Sequence, residues 1–488
     1  MPCISVRNAI AYIAFGLLLP IQPAESQEKD DAKSPRRNVL LIVTDDCNTD
    51  LGCYGHPLVK TPHLDRLSQR GTRFQHAYSQ YPVCNPSRAS FMTGLYPDQT
   101  GILSNSGHFR QHVPNVVTMS QMFRNQGYWA ARVGKIYHFG VPDQIGTNGE
   151  DDLASWDHVV NPRGIDREVH DQIHSLKKGS FGGTLSWLKL DSKASEHTDA
   201  IGATEAIKLM EEHHPDKTDR PFFLAVGFYR PHTPYVAPPE FFDLYPLDQI
   251  QPAMEQPGDR DDIPIAALHD RPKQRELTID QRKEIIQAYY ASISLMDAQV
   301  GRVIDAVDRL HLADNTTIVF ISDHGYHLGA HGLWQKSDLF EGSCHVPMMI
   351  VDPDHTAGQA SQSPCGLIDL YPTLAELTGV VPPDHLQGKS LVPLLKDPAT
   401  SVKDAALSVT ISRARQMHKE FTRATVPGYS IRTERFRYTS WGGGNFGHEL
   451  YDYETDPHEY TNLVDKPEHE STVKRMQELL QQKLKLAK

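Results

Sequence analysis

The sequence predicts an α/β fold of the doubly wound type, followed by a smaller C-terminal subdomain with an antiparallel sheet. Short, continuous apolar runs recur along the chain, and a long amphipathic segment lies between two of them. Beyond Leu395 the long apolar runs become fewer. Strands that alternate with helices are typical of a parallel sheet covered on both faces.

The main sheet is predicted from three apolar runs, Asn38–Val43, Pro221–Val226 and Thr317–Ile321. Each has the length and composition of a strand buried on both faces. From Asp280 to Leu310, apolar residues recur every three to four positions, which predicts a helix with one buried face. Because ligands in such folds bind beyond the carboxyl ends of the strands, functional residues are expected there.

The end of the chain predicts a second, smaller unit. Tyr429–Tyr438 and Glu449–Tyr453 flank a Gly442–Gly444 turn, as in a small antiparallel sheet. Lys474–Leu484 predicts a closing amphipathic helix. We therefore divide the ordered chain into a large α/β domain at residues 38–380 and a C-terminal subdomain at residues 381–488.

The first 24 residues have the composition of a secretory signal peptide. Arg7 supplies a positive charge, Ala9–Leu19 is apolar, and Ala24 is a small residue at a suitable cleavage point. An uncleaved N-terminal anchor is the alternative, although the apolar stretch is short for a transmembrane helix. Residues 25–37 are charged and predict a disordered lead-in. We expect a secreted or periplasmic protein without a stable membrane span.

The overall charge argues against one class of partner. The chain carries a net charge of −12 at pH 7 and has no long basic run. Since general nucleic-acid binding depends on Lys and Arg at phosphates, we expect no nucleic-acid partner. A locally positive pocket for a small anion is compatible with this charge.

The cysteines are too sparse for a disulfide framework. Cys3 lies in the predicted signal peptide, which leaves an odd number in the mature chain. Bridges between Cys47 and Cys53, or between Cys344 and Cys365, are both open. In either case at least one cysteine stays unpaired, and such a residue can be reactive.

The most informative segment is Cys84-Asn-Pro-Ser-Arg88, with Thr93-Gly94 downstream. Ala89–Met92 can begin a helix, so Cys84 would lie beside a helix N-terminus, where partial positive charge favours anions. Arg88 lies one turn further on and could neutralise an anionic group. On position alone, a buried structural cysteine is the simpler explanation of Cys84.

Acidic residues follow two of the predicted strands. Asp45 and Asp46 come after the first, and Asp323 and His324 come after the third. Carboxylate oxygens are the ligands that Ca²⁺ and Mg²⁺ prefer. A single aspartate at such a position is usually a turn or cap residue, but three at the ends of adjacent strands predict a metal site.

The Cys84 segment resembles the signature of the type I sulfatases, Cys-x-Pro-Ser-Arg followed by Thr-Gly. In that family the cysteine is oxidised to formylglycine by a formylglycine-generating maturation enzyme. The resemblance runs from Asn38 to about Leu463 and includes the Tyr290–Arg302 segment. It implies an alkaline-phosphatase-like/sulfatase fold, with a large central, mixed but mostly parallel sheet flanked by helices.

The same resemblance implies the metal and its ligands. A Ca²⁺ ion would be held by five residues: Asp45, Asp46, Asp323, His324 and the modified Cys84. Many sulfatases have Asp-Asn where this chain has Asp323-His324. Because imidazole is an unusual partner for calcium, His324 is the least secure of these ligands.

The Asp-His pair resembles the iduronate-2-sulfatase branch of the family. Gly134–His138, Val226–His232 and Gly329–Lys336 agree with segments of that branch, with Arg230 in place of a lysine. The resemblance therefore implies further active-site residues, namely Lys135, His138, His232 and Lys336.

The resemblance also implies a mechanism. Hydrated formylglycine would attack sulfur while Arg88, Lys135 and Lys336 stabilise the sulfuryl group. His232, with help from Lys336, would protonate the leaving alcohol, and His138 would accept the proton that is lost when sulfate is expelled.

Other functions and substrates stay open. A phosphoester hydrolase of the related alkaline-phosphatase-like fold would use a similar anion site. A non-catalytic sulfoglycan-binding protein would bind sulfated glycans in the same pocket without releasing sulfate. The branch implies a sulfated carbohydrate, specifically the 2-O-sulfate of a uronic acid in heparan- or dermatan-type glycans. Algal and other sulfated polysaccharides are alternatives, because the loops at Val141–Lys189 and Tyr245–Pro272 set specificity and vary within one fold.

Overall fold

Strands and helices alternate through most of the chain. The structure is a computed structural model that describes residues 36–254, 256–269, 271–412, 414 and 425–487. The predicted signal peptide and all but the last two residues of the predicted lead-in lie outside these residues. The strands are β1 (Asn38–Asp45), β2 (Thr72–Phe74), β3 (Ala77–Tyr78), β4 (Trp129–Gly134), β5 (His158–Val160), β6 (His174–Ser175), β7 (Ser186–Lys189), β8 (Phe222–Pro231), β9 (Tyr235–Ala237), β10 (Thr316–Ser322), β11 (His327–Leu328), β12 (Trp334–Gln335), β13 (Met348–Val351), β14 (Gln359–Ser361), β15 (Cys365–Gly366), β16 (Ala406–Ile411), β17 (Pro427–Arg432), β18 (Phe436–Trp441) and β19 (His448–Asp452). The α-helices are α1 (Pro62–Ser68), α2 (Cys84–Thr93), α3 (Pro97–Thr100), α4 (Met119–Asn125), α5 (Thr198–Glu212), α6 (Pro239–Phe242), α7 (Pro272–Arg275), α8 (Ile279–Arg309), α9 (Glu341–Cys344), α10 (Leu370–Thr378), α11 (Val392–Lys396) and α12 (Glu470–Leu486).

The largest sheet has the strand order β14-β2-β13-β10-β1-β8-β4-β5. β1 pairs in parallel with both β10 and β8, and the parallel pairing continues from β8 to β4 and from β4 to β5. Only β13 runs antiparallel to its two neighbours within this sheet. This confirms the predicted mixed, mostly parallel sheet, and it places β1 and β10 side by side.

The core lies on both faces of this sheet. Along β1, Leu40 and Ile42 belong to one hydrophobic cluster, and Leu41 and Val43 belong to another on the opposite face. Burial on both faces explains why the strand is apolar throughout.

Helix α8 covers the first face and matches the predicted Asp280–Leu310 segment. It begins at a capping box, in which the Thr278 side chain accepts from the Gln281 N–H while the Gln281 side chain accepts from the Thr278 N–H. Helices α2, α4 and α10 supply much of the apolar packing on the second face. Among the helices of the described residues, none is both long and apolar enough to cross a bilayer.

The C-terminal region forms the predicted antiparallel sheet, with the order β16-β17-β18-β19. The predicted Tyr429–Tyr438 segment contributes to two strands, β17 and β18, and β16 had no predicted counterpart. The closing helix α12 packs Met476 and Leu480 into the same cluster as Ile431 of β17. The domain boundary near residue 380 stays a prediction.

The cysteines of the described residues are all free thiols. Neither of the two bridges left open by the sequence, Cys47–Cys53 and Cys344–Cys365, is therefore formed.

Candidate active site

The acidic residues predicted from the strand ends meet at one edge of the sheet. Thr44 of β1 pairs with Ser322 of β10, so Asp45 and Asp323 emerge side by side. Asp46 then adopts a left-handed backbone conformation, with φ of 67°, which turns the chain away from the sheet. Its N–H donates to Asp323 Oδ1 at 3.2 Å, which fixes the turn. Asp is one of the few residues other than Gly that visit the left-handed region.

Cys84 is the first residue of α2, which therefore begins five residues before the predicted start at Ala89, and its side chain is completely buried. Its Sγ lies 3.2 Å from Lys336 Nζ, 3.4 Å from His324 Nε2 and 3.4 Å from Asp45 Oδ1. The start of α2 is tied to this edge of the sheet because Ser87 Oγ donates to the carbonyl of Asp323. Cys84 is therefore the point on which the predicted site residues converge.

Arg88 is buried behind Cys84 and has its guanidinium fully engaged. Its Nε donates to Asp323 Oδ2 at 2.8 Å, and its Nη2 lies 3.5 Å from Asp45 Oδ1. Nη1 donates to the carbonyls of Lys135, at 2.5 Å, and of the following residue, and Nη2 donates to the carbonyl of Thr44. Arg88 thus joins three segments and neutralises buried carboxylates.

Two lysines supply the other positive charges. Lys135 follows β4 and forms a buried ion pair with Asp45 Oδ2. Lys336 follows β12 and forms an ion pair with Asp46 Oδ1, with 11% of its side chain exposed. The site thus holds three carboxylates, counting Asp323, and three cations, counting Arg88.

The tautomers of His232 and His324 follow from their hydrogen bonds. His232 Nδ1 lies 2.6 Å from the Thr233 carbonyl, and His324 Nδ1 lies 2.9 Å from the Gly325 carbonyl. Because a carbonyl only accepts, each Nδ1 must carry the proton. Nε2 of both rings therefore faces the carboxylates, at 3.8 Å from Asp46 Oδ2 for His232 and 3.3 Å from Asp46 Oδ1 for His324.

His138 forms a hydrogen bond with Cys84 and belongs to the wall of a cleft. Its Nδ1 is buried and has no hydrogen-bond partner within the described part of the chain. Burial lowers the pKa of His138 despite a hydrogen bond to Cys84, and the positive charge of Lys135 adds to the lowering. The ring is therefore neutral at neutral pH and able to accept a proton.

The charges shift the pKa values of the other groups. Burial would raise the pKa of the Cys84 thiol, but Lys336, Lys135 and His324 outweigh it and lower that pKa well below its usual range. Burial and Cys84 would raise the pKa of Asp45, yet Lys135 and other nearby cations make the net shift downward. For His324, burial lowers the pKa, but Asp323 and Cys84 together outweigh burial and raise that pKa to about 9.

The arrangement fits a bound cation. Four ligand atoms, from Asp45, Asp46, Cys84 and His232, lie within 4.8 Å of one another, as do four from Asp45, Cys84, Asp323 and His324. Asp46 Oδ2 is buried without a hydrogen-bond partner among the described residues, so it has an unused acceptor facing the cluster. Three carboxylates are a hard oxygen donor set of the kind that Ca²⁺ prefers. A cation bound at His324 Nε2 would compete with a proton.

A cleft of about 630 Å³ opens beside His138. Its wall is mainly polar and includes His138, Asn105, Gln144, Glu150, His170 and the Gly182–Gly183 turn. This volume lies in the range of small-molecule binding sites. Much of the wall comes from the predicted Val141–Lys189 specificity loop.

The sequence did not reveal the residues that hold His232 in place. Arg230 is buried, pairs with Asp166 Oδ2 at 2.6 Å and donates to the carbonyls of Pro234 and His232. Asp199 accepts from the backbone N–H of Arg230 at 3.0 Å. Asp166 and Asp199 lie far from residue 230 in the sequence and had no local signal. Arg230 was visible only as a departure from the branch pattern.

Known protein families match nearly the whole described chain. The Sulfatase family matches residues 37–380, and the family described as N-sulphoglucosamine sulphohydrolase, C-terminal, matches residues 329–485.

Among relatives, the chain is 32% identical to iduronate 2-sulfatase of Mus musculus, over 94% of this chain and 96% of that protein. It is 31% identical to choline-sulfatase of Rhizobium meliloti (strain 1021), over 88% of this chain and 83% of that protein. The crystal structure of the phosphonate monoester hydrolase of Agrobacterium radiobacter has a TM-score of 0.76 at 24% identity, over 93% of this chain and 96% of that one, which establishes the alkaline-phosphatase-like fold. The chain belongs to the sulfatase family and is a sulfuric ester hydrolase.

Proposed function

We propose that this sulfatase uses a formylglycine made from Cys84, together with Ca²⁺, to hydrolyse sulfate esters on a glycan of the kind cleaved by iduronate 2-sulfatase. One observation carries the proposal. Cys84 Sγ is buried at a helix N-terminus within 3.4 Å of Asp45, His324 and Lys336. An oxygen of formylglycine at the position of Sγ would therefore contact a carboxylate, an imidazole and an ammonium group at the same time.

The metal would be held by Asp45, Asp46, Asp323, His324 and the modified Cys84. Hydrated formylglycine supplies an oxygen nucleophile, and bound Ca²⁺ lowers the pKa of that hydroxyl and offsets charge on the sulfate. His324 fits this set because its Nδ1 is committed to the Gly325 carbonyl, which leaves Nε2 for the cation.

The cations of the site would bind and orient the sulfate. The Lys336 ammonium contacts Cys84 directly, and the Lys135 ammonium pairs with Asp45, whose other oxygen contacts Cys84. Arg88 adds a buried positive charge that is paired with Asp323. Preorganised positive charge in a buried site stabilises the charge that shifts onto the sulfuryl oxygens.

Two histidines would move protons. His232 presents Nε2 to the site because Nδ1 is held by Thr233, so the protonated ring can donate to the leaving alcohol oxygen. His138 would accept the proton of the second hydroxyl of hydrated formylglycine, as the C–O bond to sulfate breaks and the aldehyde forms again, which agrees with the lowered pKa of His138.

The cleft beside His138 supports a carbohydrate as the leaving group. Its polar wall and volume of about 630 Å³ suit a hydroxyl-rich sugar unit. The 32% identity to iduronate 2-sulfatase over 94% of the chain supports a 2-O-sulfated uronate in particular.

The nucleophile is tested by mass spectrometry of the tryptic peptide that spans residues 74–88. We expect a formyl group in place of the Cys84 thiol in active enzyme, and fully active enzyme with an unmodified thiol would refute the proposal. Cys84→Ala should lower turnover on the order of 10³-fold or more. Cys344→Ala, at another buried free cysteine, is the matched control and should keep activity.

The substrate is tested with defined disaccharides that carry a single 2-O-, 6-O- or N-sulfate. We expect the 2-O-sulfated uronate to have the highest kcat/KM. A preference for 6-O- or N-sulfate, or for sulfated algal oligosaccharides, would refute the proposed specificity and leave sulfatase activity intact. Faster turnover of an aryl phosphate than of the matching aryl sulfate would favour the phosphoester alternative.

We also propose that the chain is exported, on the basis of its first 24 residues. Mass spectrometry of the mature N-terminus should find it near residue 25. Retention of Met1 in the exported or cell-associated enzyme would contradict cleavage.

A further inference from the structure

The backbone on both sides of Lys336 is strained. Gln335 has φ of 73° and Ser337 has φ of 104°, although neither residue is a glycine. Left-handed conformations of such residues persist only where the surrounding structure fixes them, and they cluster at functional sites. The question is therefore which contacts fix this segment.

The side chain of Gln335 provides the main restraint. It is buried, and its Oε1 accepts from Arg271 Nη1 at 2.6 Å and from Gln274 Nε2 at 2.8 Å. Its backbone pairs with His327 in the β11–β12 hairpin. A buried carbonyl that accepts from two long side chains fixes the peptide immediately before Lys336.

The other side of the lysine is also anchored. The Ser337 carbonyl accepts from Thr410 Oγ1 at 3.1 Å. With both flanking residues held, the Lys336 ammonium reaches Asp46 and lies 3.2 Å from Cys84 Sγ.

Arg271 links this anchor to the cleft. Its Nη1 also donates to the Gly183 carbonyl, and Gly183 belongs to the cleft wall that includes His138. One guanidinium therefore contacts both the residue before Lys336 and the wall that would surround the sugar.

We propose that Gln335 is a positioning residue of the sulfatase reaction. Its side-chain carbonyl, held by Arg271 and Gln274, fixes Lys336 at the reacting sulfate and couples that lysine to the cleft wall. This inference rests on the proposed role of Lys336 in binding the sulfuryl group.

The first test compares Gln335→Met with Gln335→Glu. Arg271 and Gln274 both donate to Oε1 of Gln335, so glutamate keeps the acceptor and methionine removes it at similar volume. Since a misplacement of about 1 Å can cost about 10²-fold in rate, we expect kcat to fall about 10- to 100-fold in Gln335→Met. KM should change far less, and Gln335→Glu should restore kcat to within a few-fold of the parent.

The second test is a double-mutant cycle with Lys336→Ala. If Gln335 acts through the lysine, Gln335→Met should have almost no further effect on kcat in the Lys336→Ala background. An equal loss in both backgrounds, or a loss in Gln335→Glu as large as that in Gln335→Met, would show a general structural role and overturn the proposal. Parent-like kcat in Gln335→Met would also overturn it.

A further variant covers the case in which Gln335→Met does not fold. Gln274→Leu removes one donor and leaves the strained backbone residue in place, so a smaller loss of kcat is expected from it, and no loss would overturn the proposal. Thermal unfolding of each variant separates misfolding from misplacement. Parent-like activity in Lys336→Ala would instead refute the proposed role of the lysine, so the two failures are distinguishable.

Discussion

Replacing Arg88 removes the buried cation that lies behind the nucleophile. Arg88→Met keeps an unbranched side chain but loses the charge and every hydrogen bond of the guanidinium. Arg88→Lys keeps the charge and cannot reproduce the fork that reaches Asp323 and the carbonyls of Thr44 and Lys135. The pair of variants therefore separates charge from geometry.

The magnitude follows from the burial of the group. Arg88 and Asp323 are both fully buried, and their contact is 2.8 Å. Removing one partner of a buried ion pair costs about 3–5 kcal/mol, so we expect about 4 kcal/mol for Arg88→Met. In Arg88→Lys the loss comes from unsatisfied carbonyls, at about 2 kcal/mol.

The loss in Arg88→Met should depend on pH. Burial raises the pKa of Asp323, and Arg88 partly counteracts that shift. Without Arg88 the pKa of Asp323 rises further, and a carboxyl with a raised folded-state pKa loses stabilising free energy as pH increases through that pKa. The destabilisation should therefore be larger at about pH 8 than at about pH 5.5, where Asp323 can take up a proton.

The assay is urea unfolding followed by tryptophan fluorescence, with refolding as the test of reversibility and a chelator present so that bound metal does not mask the effect. Equal midpoints for Arg88→Met and the parent at the higher pH would refute the reasoning. A loss in Arg88→Lys as large as that in Arg88→Met would show that the charge contributes nothing.

Three other perturbations have defined outcomes. Calcium at about 100 times the Kd of the parent should raise the free energy of unfolding of the parent by about 2.7 kcal/mol. An equal increase in Asp46→Ala at the same calcium concentration would contradict the assignment of Asp46 as a ligand. Burial raises the pKa of Glu449 to about 7, so the ionised carboxylate destabilises the folded parent at alkaline pH. In urea titrations, Glu449→Gln should therefore be more stable than the parent at alkaline pH and equally stable at about pH 5, and a difference in stability that does not change with pH would contradict this. A Cβ at Gly227 would lie 2.0 Å from the Lys135 carbonyl oxygen, so Gly227→Ala should lower kcat and the melting temperature. The control is Gly202→Ala in α5, which should be tolerated because the nearest atom to its Cβ would be 3.4 Å away. Parent-like activity in Gly227→Ala would show that the position of Lys135 does not depend on this close approach.

The elements found from the sequence are those whose burial is uniform. The apolar residues of β1 form one continuous run and those of α8 follow the period of a helix, so each element can be recognised from its own segment of the sequence. Asp45 and Asp323 meet because β1 and β10 are neighbouring parallel strands. β16 was not predicted, although Leu407, Val409 and Ile411 alternate with Ser408 and Thr410 as in a strand with one apolar face. Both are buried, and each donates to a distant carbonyl, that of Ser79 for Ser408 and that of Ser337 for Thr410. Only the folded chain supplies those acceptors.

The same limit applies to the supporting residues of the site. The family resemblance identified Lys336 and His232, but their positions depend on Gln335 and Arg230. The side chains that hold these two residues, Arg271 and Gln274 for Gln335 and Asp166 for Arg230, lie at least 60 residues away in the sequence. An amide or guanidinium that satisfies a distant buried group has no periodicity or composition by which it could be recognised. Its role appears only when the partners are brought together.

The balance of charge explains how metal and substrate would act on one another. Three carboxylates and the cations Arg88, Lys135 and Lys336 lie around Cys84, and Lys135 and Lys336 are paired with Asp45 and Asp46. These formal charges cancel when His324, whose pKa is raised, has given up its proton to make room for a metal ion. A divalent cation bound by those carboxylates would weaken their hold on the lysines and leave the site positive. The ammonium groups would then be available for the sulfate oxygens, whose negative charge restores the balance. Calcium and an anionic substrate should therefore each raise the affinity for the other, since a coupling free energy between two ligands is reciprocal.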